Sequence, residues 1–125
     1  MQQLQFQKKW DKAISAQDRN YIEKVFNETK HVGSSEICFS PVREAINHQD
    51  ALLVTVLIHN YTNQPLVFKN RKLVYLVGDK FFAERIFSIA TLIVPGRVSM
   101  PWTFIFPKGS YPSETNYKNG QIVAG

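Results

Sequence analysis

Leu52-Leu53-Val54-Thr55-Val56-Leu57-Ile58-His59-Asn60 reads as a β-strand with two apolar faces. Successive side chains of a strand point to opposite sides. Leu52, Val54, Val56 and Ile58 therefore share one face, and Leu53, Thr55, Leu57 and His59 the other. A strand that is apolar on both sides belongs at the centre of a sheet, with the helices or a second sheet covering it. The cluster Asn60-Tyr61-Thr62-Asn63-Gln64-Pro65 ends it in a turn.

Outward from this strand the pattern stays β. Ile37–Val42 is a short strand that Pro41 confines to an edge or terminates, because proline has no N–H to give a ladder. Leu66–Lys69 and Leu73–Val77 follow as strands, and Gly78-Asp79 is a two-residue hairpin signal. Ile86–Val94 is apolar and ambiguous in period, and Pro95-Gly96 is a turn. Val98–Phe106 is the last strong strand. Trp102, Phe104 and Phe106 fall on one face of it, and Pro101 and Pro107 bracket it, which suits part of the strand to an edge.

Before residue 33 the period is helical. Trp10, Ala13 and Ile14 have i, i+3, i+4 spacing, and Tyr21, Ile22, Val25 and Phe26 form a second apolar stripe. Ser15 with Asp18 three residues on reads as a helix start, and Gly33 as a stop. The expectation is one or two short helices across 8–30, then β structure across 36–107. The fold class is mainly β: an antiparallel, Ig-like β-sandwich preceded by those helices. Residues 1–107 form the single domain, and 108–125, with Pro107, Gly109 and Pro112 at its start, a loosely ordered tail.

Composition narrows the function. With 125 residues there is room for one domain. The single cysteine, Cys38, excludes an internal disulfide and any zinc site on paired cysteines. The net charge of +5 is spread, with six bases and four acids in 1–32 and nine and six in 33–125, so neither part is a basic arm. No secretory signal or membrane span is expected from MQQLQFQKKWDK or from any apolar run, which points to the cytoplasm.

Chemistry-bearing patterns are sparse. His31, His48 and His59 are read as a helix-end, a loop and a strand-end histidine, and no metal ligand set is expected. Cys38 reads as a small half-buried residue, not a nucleophile. The carboxylates are scattered, and no phosphate-binding glycine loop occurs, so no catalytic residue and no cofactor are expected. Two surfaces are candidates for interaction. One is the aromatic stripe Trp102, Phe104, Phe106, read first as core facing the helices and second as a partner patch. The other is the basic cluster Lys69, Arg71, Lys72, read first as a solvated edge guard and second as a nucleic-acid contact.

An ordered set of pieces resembles a known family. KKWDKAISAQDRNYI (8–22), ICFSPVREAIN (37–47), LLVTVLIHNYTNQPLVFKN (52–70) and SMPWTFIFP (99–107) resemble the SLAP domain, the unit of the accessory Sec system S-layer assembly protein of bacilli and related Gram-positive bacteria. The resemblance implies a non-enzymatic protein that assists export of S-layer-type proteins through the second SecA motor. It carries over no catalytic residues. Trp10, Asn60, Pro101, Trp102, Phe104 and Pro107 match its motif and are implied to be structural. The expected function is a cytoplasmic protein-interaction module whose partner is the second SecA motor or an S-layer preprotein. The alternative is a small basic nucleic-acid-binding protein using Lys69, Arg71 and Lys72.

Overall fold

The computed structural model describes residues 2–31, 36–112 and 116–124. The chain runs β1 (Gln3–Leu4), α1 (Lys8–Ala13), α2 (Ala16–Thr29), β2 (Ile37–Ile46), β3 (Leu52–Asn60), β4 (Leu66–Val77), β5 (Lys80–Val94), β6 (Val98–Phe106) and β7 (Gln121–Ala124). Two sheets form, one ordered β1-β6-β3-β2 and the other β5-β4-β7. All pairings are antiparallel except β1 with β6, where Gln3 and Leu4 run parallel to Val98 and Ser99.

β3 lies between β6 and β2, as its two apolar faces require. Its two sides meet different layers. Leu52, Val54, Val56 and Ile58 enter the core between the sheets, with Leu73 and Tyr75 of β4, Phe82 and Phe87 of β5 and Ile122 of β7. Leu57 enters a second cluster with Ile22, Val25 and Val42, so α2 covers the outer face of this sheet. The helix starts where the sequence places it: Ser15 caps α2 and its Oγ accepts from the Asp18 N–H at 3.1 Å. Ile22 and Val25 are buried, whereas Tyr21 turns outward and is 45% exposed, so the expected stripe is narrower than its spacing suggests. Gly33 lies outside the described residues.

The turns follow from local chemistry. Gly78 and Asp79 both have positive φ, 58° and 66°, which gives the primed turn that matches strand twist. β4 is continuous where two strands were expected. A bulge with Asn70 at φ 51° joins them, and it is stitched to β5 by the Asn70 N–H donating to Ser88 Oγ at 2.9 Å. Pro41 sits on edge strand β2, at the register shift between Pro41 and Arg43. Asn60 fixes the turn after β3. Its amide N–H groups donate to the Gln64 and Val94 carbonyls at 2.7 and 3.0 Å, and its Oδ1 accepts from the Thr62 N–H at 3.0 Å.

One expectation needs correcting. The loosely ordered tail contains β7, whose residues Gln121–Ala124 pair with Leu73–Leu76 of β4. The anchor is Tyr75, whose hydroxyl accepts from the buried Gly120 N–H at 3.2 Å and donates to the Tyr117 carbonyl. A Cβ at Gly120 would come within 2.2 Å of the Tyr75 ring. Gly120→Ala is therefore expected to lower stability by about 1–3 kcal/mol, as overpacking does. A urea midpoint equal to wild type would show that β7 lies outside the cooperative unit.

Candidate partner-binding edge

The aromatic stripe is core, but not the core expected. Phe104 and Phe106 are fully buried and face the second sheet, not the helices. Phe104 packs against Phe39, Phe68 and Phe87, with ring centroids 6.3, 5.5 and 5.0 Å away. Trp102 lies at the margin of this core, partly buried, and its ring is 6.4 Å from Trp10 of α1. Of the three, only Trp102 and its surroundings are open to a partner.

The basic cluster does not converge. Lys69 and Lys72 are exposed, and Lys72 pairs with Glu84 at 3.1 Å. Arg71 turns the other way across the bulge, with its guanidinium 5.6 Å from the Phe68 ring and its Nε enclosed without a hydrogen-bond partner. The three cations thus present no single charged face.

His59 is fully buried beneath α2. Its Nδ1 is 2.6 Å from Ser99 Oγ, and its Nε2 is 2.9 Å from Thr29 Oγ1 and 3.1 Å from Ser40 Oγ. The Thr29 hydroxyl donates to the Val25 carbonyl at 2.7 Å, so it accepts from Nε2–H. Nδ1 is then the acceptor for the Ser99 hydroxyl, and the network suits a neutral ring. Burial pushes the His59 pKa down to about 4. Burial also raises the Cys38 thiol, against a smaller lowering by the Tyr61 side chain, which disfavours the thiolate that a nucleophile needs. Among the described residues no three His, Cys, Asp or Glu side chains are grouped to hold a metal ion. Among them, too, no helix is long and apolar enough to cross a membrane.

What remains is the side of the sandwich where β5 and β6 face each other. The outer edge of β6 is well blunted. β1 covers its start, with the Gln5 N–H donating to the Ser99 carbonyl at 3.0 Å. Pro101, two residues on, turns its missing N–H to that same side, so the ladder to β3 loses nothing. Trp10 rests against Trp102, and the Arg85 guanidinium donates to the Ile105 carbonyl.

The edge of β5 is different. β5 is the end strand of its sheet and pairs only with β4 among the described residues. From Ile86 to Ile93 it carries no charge, no proline and no glycine. Ile86 is 61% exposed and Ile93 49% exposed. Natural edge strands are normally guarded by lysine, proline, bulges or a covering element, and of these β5 has a bulge between Ile89 and Ile93, where its pairing passes from Phe68 to Val67. Two hollows flank the middle of this edge and share Ser88 and Ile89. One, of about 270 Å³, lies toward β6 against Trp102 and Phe104. The other, of about 310 Å³, lies against Val67, Lys69 and Ile93. The sequence signal was present, as eight uncharged residues before the Pro95 turn, but the ambiguity of their period hid it.

A helix-covered β-sandwich with a long, uncharged strand edge on β5 is the class that fold and site define. The chain belongs to the SLAP domain family, whose sequence model matches residues 4–122. The match passes residue 107 and reaches into β7, in agreement with the pairing of that strand. No curated protein and no solved structure matches the chain.

Proposed function

We propose that this chain is a non-enzymatic protein-interaction module that takes up an extended segment of a partner by strand addition along β5. The observation that carries this is the uncharged edge Ile86–Ile93, with a hollow to either side of its centre. Strand addition draws affinity from main-chain hydrogen bonds and specificity from pockets that receive alternate side chains. The hollow against Trp102 and the hollow against Val67 and Ile93 are placed for that alternation. Membership of the SLAP domain family supports a Sec-related, S-layer-associated setting. Within it, the segment recognised is part of an S-layer-type preprotein or of the second SecA motor, met in the cytoplasm of a Gram-positive cell.

The test is a titration with a ten-residue, β-forming synthetic peptide, followed by amide hydrogen exchange. Binding is expected to slow exchange along β5, and Ile86→Lys is expected to abolish it while changing stability by no more than about 0.5 kcal/mol. Unchanged exchange on β5 at saturating peptide would remove the strand-addition reading. For the setting, the tagged protein should retain the second SecA motor or S-layer precursors from a bacillus with an S-layer, and Ile86→Lys should lose them. Recovery of neither by the wild type would leave a SLAP domain with another task.

A further inference from the structure

Two cations without a carboxylate flank β5: Arg85 on the strand itself and Lys69 one strand in, on β4, about 10 Å from where an added strand would lie, a span that a long lysine side chain and a carboxylate together cross over Ser88. Arg85 begins the uncharged stretch, its guanidinium 5.1 Å from the Phe87 ring and bonded to the Ile105 carbonyl, and no ion pair engages it among the described residues. Lys69 is exposed on β4, lines the second hollow and is likewise unpaired with a carboxylate among those residues. The register gives their spacing. Phe68 is level with Ile89 and Arg71 with Phe87, so Lys69 and Asn70 of the bulge together oppose Ser88, three residues from Arg85. At the rise of a strand this is about 10 Å. Residues three apart on a strand point to opposite faces. Arg85 leans inward over Phe87, whereas Lys69 points outward, so the two cations already occupy opposite faces at that spacing. The wider surroundings have the same sign. Lys8, Lys9 and Lys12 flank Trp10, which touches Trp102 of the first hollow, and Asp11 between them is taken by Arg19 at 2.7 Å.

Resting on strand addition at β5, we infer that the segment recognised is acidic in a defined pattern. It carries two carboxylates three residues apart, one for Arg85 and one for Lys69, in an otherwise uncharged strand whose alternate side chains enter the two hollows. Cationic segments are rejected by the same two residues.

The probes are three ten-residue peptides with one apolar core, bearing Asp/Asp, Asn/Asn or Lys/Lys at positions three apart. The Asp peptide is expected to bind roughly tenfold more tightly than the Asn peptide, and the Lys peptide more weakly than either, with the differences shrinking at high salt. Arg85→Gln and Lys69→Gln are each expected to reduce the Asp preference about three- to fivefold. Equal binding of all three peptides, with protection still seen on β5, would overturn the acidic pattern and leave strand addition standing. A fourth peptide, the Asp version N-methylated on alternate residues, separates the two claims. It should not bind; if it binds as well as its parent, the cations attract acids without strand addition, and both claims fall.

Discussion

Phe104→Ala is expected to lower the unfolding free energy by about 3–5 kcal/mol, the largest single-residue loss in the molecule. The side chain is fully buried, and three other aromatic rings from β2, β4 and β5 close on it. Removing the ring leaves a cavity where both sheets meet, with no helix side chain near to refill it. Urea unfolding measures the effect. Trp102→Ala gives the contrast, because Trp102 lies at the margin and touches Trp10. It is expected to cost clearly less than Phe104→Ala and to weaken peptide binding. Equal losses for the two would contradict the division of this strand into a sealed half and an open one.

The second large effect is acid sensitivity. His59 titrates near 4 in the folded chain against about 6.5 when unfolded. The unfolded state therefore takes up a proton first as pH falls, and stability is lost through the window from about 6.5 down to about 4. Over the whole window the loss is about 3 kcal/mol, since each unit of pKa difference corresponds to about 1.4 kcal/mol. Above about pH 7.5 the ring is neutral in both states and contributes no slope. Unfolding free energies measured between pH 7.5 and 4 in wild type and His59→Gln test this. The variant is expected to be less stable at neutral pH, having lost the Ser99 and Thr29 bonds, and to show a flatter pH dependence. Parallel curves would mean that other groups carry the acid response.

Much of the fold was legible because local chemistry and tertiary packing agree. Ser15 and Asp18 mark a helix start, Gly78-Asp79 a hairpin, and the two apolar faces of Leu52–Asn60 a central strand. The failures share a cause. Face parity says which of Trp102, Phe104 and Phe106 travel together, but not which layer they meet, and the layer proved to be the second sheet. Gln121–Ala124 is too short for its period to be told from a tail, and its docking depends on Tyr75, more than forty positions away in the chain. The bulge at Asn70 sends Arg71 inward, which dissolves a basic cluster that looked continuous in sequence. The uncharged run Ile86–Ile93 was visible in the sequence, but its ambiguous period hid the strand, and that this strand ends its sheet is a property of strand order, which composition does not encode.

The uncharged edge of β5 also sets a ceiling on how much of this protein can be kept in solution alone. Eight uncharged, β-prone residues on an open strand are a template for any like segment, a second copy of themselves included. Purified stocks should therefore grow turbid with concentration and time, and a molar excess of peptide should keep them clear. In a cell the same arithmetic ties the tolerable abundance of the chain to the supply of whatever occupies that edge.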